Sequence, residues 1–382
     1  MFNVFPMVSP MKYFAAMPDH RHSSYITHPL PTIIGITIAA VICGAEDWYD
    51  VEDYGLEKKE WLSGFLDVSK GIPSHDTFNL FFQRVDAKAL EQCFQSWVSE
   101  VATLAEDRIL SIDGKTIRGS SPTKEPGSFI HMVSAWCSQN HLVLGQQKVS
   151  DKSNEIAAIP ALLDLLVIKG CLVTIDAMGC QLTIAEKIVA GEANYLLAVK
   201  ENQAFLLDDL KEAFAHEKPH DTYKASNVGH GRVETRITSV THNTEWICRK
   251  QQWRNLSSLI KVACTRHDKK TQKEETSERY YISSKKAAAQ YFHEAVRTHW
   301  QVENNLHWTL DVIFSEDDSQ KQAGNAAQNF SLISKVALNM IQNHKDTRNR
   351  GAKKISAKRK RKMAGWNNDY LLEILLTLNY QT

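Results

Sequence analysis

Between Asp107 and Lys200 the chain alternates short apolar stretches with segments whose apolar residues recur at helical spacing, and this order constrains the fold more than any other feature. Ile109–Asp113 is expected as a strand, and His131–Ser138 and His141–Val149 as a hairpin around Gln139-Asn140. An amphipathic helix is expected over Asn154–Val167, a strand over Leu172–Ala177, a helix over Gln181–Ala190 and a strand over Tyr195–Lys200. Strand, hairpin, helix, strand, helix, strand is an α/β order. The hairpin makes antiparallel neighbours and the crossover helices make parallel ones, so the sheet is mixed.

The flanks differ in texture. Residues 1–102 read as an all-helical N-terminal domain. Its apolar run Ile33–Ala45 contains Gly35, Thr37 and Gly44 and stops at Glu46-Asp47, too short for a bilayer and right for a buried helix. Val51–Leu66 follows, then the turn Lys70-Gly71-Ile72-Pro73. Ser74 is placed to cap a helix carrying Phe78, Phe81, Phe82 and Val85, and Ala89–Leu104 is a further apolar-striped segment. Two readings stay open here. One is a helix-turn-helix that turns His75, Thr77, Asn79, Gln83 and Arg84 to DNA; the other is a helical packing domain. The α/β domain is expected over 103–345, with a β-rich insertion at 221–283 whose strands are Arg232–Thr241, Leu259–Arg266 and Glu278–Ile282. Helices are expected at Gln203–His216 and from about Lys285 to Ile313. A basic tail with a terminal helix, Tyr370–Leu378, occupies 346–382.

Charge matters only once it is mapped. The chain carries a formal net +1, yet Lys345–Lys362 holds ten Lys or Arg against the single acid Asp346, so the rest is about −8. A concentrated cationic segment on an otherwise acidic chain predicts one polyanion-binding place, with Lys358, Arg359, Lys360, Arg361 and Lys362 as its densest part. The alternative is a solvated linker. Seven scattered cysteines without a C-x-x-C pair argue against a disulfide framework or zinc finger and for a reducing compartment.

Two acids occupy matching places. Asp113 follows the apolar Ile109–Ile112, and Asp176 follows Leu172–Ile175. In open α/β sheets functional groups gather beyond the carboxyl ends of strands, although an aspartate there also commonly caps a turn. Glu303 sits within a helical segment between His299 and His307, with Trp300, Leu306, Leu310 and Val312 as expected packing surface. An acid there can complete a carboxylate cluster fit for a hard divalent cation. The same stripe, His299, Glu303, His307 and Asp311, admits a rival zinc site, but it lacks an H-E-x-x-H motif and leaves the strand-end aspartates without a purpose.

Six ordered blocks carry a family resemblance. Ser111–Ser120 (SIDGKTIRGS) resembles the first catalytic motif of DDE insertion-sequence transposases of the H-repeat-associated lineage, Thr174–Gln181 (TIDAMGCQ) the second, and His299–Asp317 the third. Gly71–Phe78, Tyr195–Gln203 and Gly229–Arg236 match as well, so the likeness runs from about Pro18 to the C-terminus. Related transposases often carry a Tyr, Arg, Glu, Lys signature on the third helix. Here the Arg place holds His299, which is usual for this lineage, and the Lys place holds Leu310, so those two roles do not transfer.

The resemblance implies a ribonuclease-H-like core in which Asp113, Asp176 and Glu303 hold two Mg²⁺ or Mn²⁺ ions for phosphoryl transfer on DNA. It implies double-stranded DNA partners (terminal inverted repeats and target), a homo-oligomer on that DNA, and a cytoplasmic, nucleoid-associated protein with no membrane role. Lys115, Arg118, Lys200 and Arg232 are expected at DNA phosphates, and Asn202 and Gln203 at end nucleotides. Rival outcomes are a metal-dependent nuclease that cuts without joining, and a catalytically silent DNA-binding relative.

Overall fold

The computed structural model describes residues 10–102, 108–121, 129–149, 155–229, 231–346 and 355–376. The helical region opens with α1 (Pro10–Ala15) and α2 (Leu30–Cys43). Helix α2 is apolar all round and buried from Thr32 to Ile42, as a helix at the centre of a core must be. Helix α3 (Trp48–Glu57) starts with a capping box between Asp47 and Asp50, and the short α4 (Lys59–Leu62) follows. Ser74 caps α5 (His75–Arg84) by accepting from the Thr77 amide, and Asp86 caps α6 (Ala87–Val101). Phe78, Phe81 and Phe82 point inward. Of the five α5 residues offered to DNA, His75 is bound to Glu52 at 2.6 Å, Thr77 to the Ser74 hydroxyl, and Gln83 to Asn79. Arg84 remains exposed.

The sheet is built from β1 (Ile109–Ile117), β2 (Ile130–Cys137), β3 (Leu142–Val149), β4 (Leu172–Ile175) and β5 (Asn194–Val199), with α7 (Glu155–Asp164) and α8 (Leu182–Ala190) as crossovers. After α9 (Ala204–His216) the meander β6 (Asp221–Gly229), β7 (Arg232–Thr241), β8 (Ser258–Asp268) and β9 (Glu274–Ser283) joins the same sheet, because β9 pairs antiparallel with β5. The strand order is β3-β2-β1-β4-β5-β9-β8-β7-β6, with β1, β4 and β5 parallel. The ribonuclease-H-like mixed core and its β-rich insertion therefore share one sheet. Strand β6 was not expected from the sequence.

The long helix expected from Lys285 to Ile313 is interrupted. Helix α10 (Ala289–His299) runs into a π-helical turn, Val302–His307, and then into α11 (Trp308–Ile313). Behind the sheet lies α12 (Ala326–Asn343), buried along nearly its whole length and packed against α2. Helices α13 (Ala357–Trp366) and α14 (Asn368–Leu375) also pack on α2, in a core continuous with the sheet.

This corrects the reading of the tail for Lys360 and Arg361. They are 4% and 6% exposed. The Lys360 ammonium donates to the Ile341 and His344 carbonyls at 2.8 and 2.6 Å, at the end of α12. Arg361 donates to the Val41 carbonyl near the end of α2, and its guanidinium lies 4.4 Å from the Phe314 ring centre. Unsatisfied carbonyls and the negative end of a helix dipole attract cations, which is why part of a basic run folds inward. Lys358, Arg359 and Lys362 stay exposed, while Arg348, Arg350, Lys353 and Lys354 lie outside the described residues. Among the described residues no single helix is long and apolar enough to cross a membrane.

Candidate active site

Strands β1 and β4 pair in parallel up to Ile112 opposite Ile175, so Asp113 and Asp176 emerge side by side where that pairing stops. Asp113 does not end its strand, as the sequence suggested: β1 continues against β2 to Ile117. Strand β4 does end, because the Asp176 carboxylate accepts from the Met178 and Gly179 amides at 3.1 and 3.4 Å and starts a tight turn. A side chain at Gly179 would lie 2.3 Å from Ile175 Cγ2, which explains the glycine. The turn is tied from outside: the Asn202 amide donates to the Ala177 carbonyl at 2.7 Å and that of Gln203 to the Cys180 carbonyl at 2.8 Å. Both amides thus serve the Asp176 turn, a role the sequence reading did not foresee.

The π-helical turn brings Glu303 to the same cavity, about 440 Å³, that Asp113 and Asp176 line. Leu306 and Leu310 pack inward as expected. Trp300 and Val312 do not, being 38% and 51% exposed. Trp300 instead edges the cavity, with the Arg279 guanidinium 4.5 Å from its ring centre. Four residues before Glu303, His299 is half-buried with its Nδ1 3.0 Å from the Thr174 hydroxyl. Burial holds His299 at about 4, against the Thr174 hydrogen bond, so it is neutral. His307 lies 3.6 Å from Asp113; burial, then the Lys115 and Lys335 charges, hold it at about 4 as well.

Negative charge is concentrated at the strand ends. Burial, then the charges of Asp176 and Glu155, push the Asp113 carboxyl up to about 7; the Gly114 amide opposes this and Glu303 adds to it. Asp176 is raised too, by burial and Glu155, against its two amide bonds and Lys200. Glu155, which the sequence reading did not single out, starts α7 and contacts the His131 ring at 2.6 Å. Only the fold brings it near the aspartates.

Carboxylates crowded until one resists ionisation suit a hard cation, and in this respect the donor set fits Mg²⁺ or Mn²⁺. Among the described residues no three His, Cys, Asp or Glu already converge at ligand distance. The rival zinc stripe is taken apart: His299 faces Thr174, and Asp311 binds Lys115.

The expected phosphate contacts divide. Lys115 is a correction. Its side chain is 11% exposed, and its ammonium binds Asp311, Glu316 at 2.6 Å and Asp317 at 3.5 Å, because the segment after Glu303 lays three acids against β1. Arg118 is 82% exposed, with Asp317 3.6 Å away. Lys200 is exposed at the cavity. Arg232 is exposed at the tip of the β6–β7 hairpin, 3.5 Å from Glu234. All seven cysteines are free thiols.

Comparison with known proteins agrees with this geometry. A family described as "Transposase DDE domain" matches residues 104–340, and one described as "DDE_Tnp_1-associated" matches 11–98. The chain is 42% identical over 374 residues to "Putative transposase YncI" of Escherichia coli O157:H7, covering 96% of this chain and 94% of that protein. It is 38% identical over 372 residues to "H repeat-associated putative transposase YhhI" of Escherichia coli strain K12, covering 96% and 97%. A short relative named "Inactive transposase YbfQ", of the same strain, is 42% identical over 67 residues, 18% of this chain and 80% of its own length. The chain belongs to the DDE transposase family, in its H-repeat-associated lineage.

Proposed function

We propose that the chain cuts DNA at the ends of an insertion element and joins those ends to target DNA, with Asp113, Asp176 and Glu303 as the catalytic carboxylates. The observation that carries this reading is the three acids around one cavity, two of them where the neighbouring parallel strands β1 and β4 stop pairing. The carboxylates would hold two Mg²⁺ or Mn²⁺ ions. Bound there, the ions supply Lewis acidity toward phosphate oxygens and the attacking hydroxyl. The chain's own residues set the geometry: the Asp176 turn is fixed by Asn202 and Gln203, and neutral His299 and His307 flank Glu303 without adding charge.

Arg118, Lys200 and Arg232 contact DNA phosphates in this reading, joined by Lys358, Arg359 and Lys362 on α13. The partners are terminal inverted repeats and target duplex, bound by a homo-oligomer in the cytoplasm at the nucleoid. The test supplies purified protein, Mg²⁺ or Mn²⁺, a duplex carrying the element end and a target plasmid. Joined products support the proposal. Cleavage without joining makes the chain a nuclease, and binding without cleavage makes it a silent relative.

A further inference from the structure

Lys115 has no place in the chemistry above, yet it is one of the most heavily engaged cations of the chain. Residues two apart in a strand share a face, so Lys115 points to the same side of β1 as Asp113. On that side it meets Asp311 of α11, which follows the π-helical turn of Glu303 without a break. The same ammonium holds Glu316 at 2.6 Å. Glu316 is 6% exposed and is itself fixed by the Ser331 hydroxyl of α12 at 2.7 Å. The charges of Lys335 and Lys115 outweigh burial and keep the Glu316 carboxyl low, so it is an anion. Upstream, His299 is anchored to Thr174, two residues before Asp176. The segment carrying Glu303 is therefore tied to β4 at one end and to β1 at the other.

We propose that Lys115 is a positioning residue: by clamping Asp311 and Glu316 it sets Glu303 against Asp113 and Asp176. The inference rests on the carboxylate reading given under Proposed function. A π-helical turn lacks the regular hydrogen-bond ladder of an α-helix, so its register depends on ties of this kind. Removing the cation leaves Asp311, Glu316 and Asp317 facing one another without it, and repulsion then drives the Glu303 segment off the sheet.

The experiment uses full-length protein without DNA. Mn²⁺ binding is measured by the loss of the free-ion electron paramagnetic resonance signal, and the opening of 302–307 by amide hydrogen exchange. Lys115→Met is expected to weaken Mn²⁺ binding by about tenfold or more and to speed exchange at 302–307 by a similar factor. Asp311 is 30% exposed, so Asp311→Asn is expected to fold and to move both readouts the same way by about threefold or more. Lys360→Met removes another buried cation, far along the chain from the site, and is the comparison for stability alone. It should lower the melting temperature yet leave both readouts within about twofold. Wild-type Mn²⁺ affinity and exchange in Lys115→Met and Asp311→Asn overturn the proposal. So does a loss of binding in all three variants that simply tracks melting temperature. If wild type binds no Mn²⁺, the carboxylate reading fails, and the exchange data alone still decide the clamp.

Discussion

Replacing Asp113 by Asn stabilises the metal-free protein above neutral pH and does nothing at pH 4. Asp113 has 22% of its side chain exposed, and its carboxyl is raised from the ordinary 3.8 to about 7. A raised acid is unfavourable to the fold when ionised. Its penalty is absent below the unfolded value, grows from about pH 4 to pH 7 and is constant above. At about 1.4 kcal/mol per tenfold in proton affinity, the ionised form costs up to about 4 kcal/mol. Asn imitates the protonated carboxyl but keeps part of the burial cost, so about 2–4 kcal/mol is the expected gain at pH 8. For 382 residues the unfolding entropy is about 0.8 kcal/mol/K, so the gain is about 3–5 °C. The assay is thermal melting of wild type and Asp113→Asn in EDTA from pH 4.5 to 8.5, repeated with Mg²⁺ at pH 8. Mg²⁺ should raise the wild-type midpoint and leave the variant nearly unmoved. A variant no more stable than wild type at pH 8, or a difference independent of pH, refutes the reasoning.

The α13 cations should separate into two classes. Lys360→Met or Arg361→Met is expected to cost about 2–4 kcal/mol of stability by denaturant melting, with the salt dependence of DNA binding unchanged. Neutralising Lys358, Arg359 and Lys362 together should leave stability alone and flatten the slope of log affinity against log salt by up to about 3 in a duplex titration. Arg232→Ala should weaken element-end binding while moving stability by less than about 0.5 kcal/mol; a large drop in melting temperature with normal binding would make Arg232 a structural residue.

The parallel heart of the fold was legible because Ile109–Ile112 and Leu172–Ile175 are mostly apolar, with one small hydroxyl each (Ser111, Thr174), and each is buried throughout and followed by an acid. The π-helical turn was not, since Val302–His307 differs from an α-helical stretch only in how its backbone bonds close. Edge strand β6 (DTYKASNVG) has little apolar alternation because most of it faces solvent. Helix α12 has a polar stripe, Ser331, Lys335 and Asn339, that reads as a solvent face but is buried, because Glu316, Gln146 and the Val143 backbone supply its hydrogen bonds. Lys115 and Lys360 are cations in polar neighbourhoods of the sequence and were assigned to phosphate. Their acceptors are Glu316, 201 positions away, and the carbonyl ends of α12, which no local pattern displays. Glu155 was missed for the same reason.

The most direct test of the central claim is cleavage of an element-end duplex by purified wild type, Asp113→Asn, Asp176→Asn and Glu303→Gln, with DNA binding measured in parallel. Each substitution keeps the side chain's shape and removes one carboxylate. Cleavage in Mg²⁺ or Mn²⁺ is expected to fall by about 10³-fold or more in every variant, while binding stays within about threefold of wild type. Wild-type-like cleavage by any one of the three would contradict the account and remove that residue from the site.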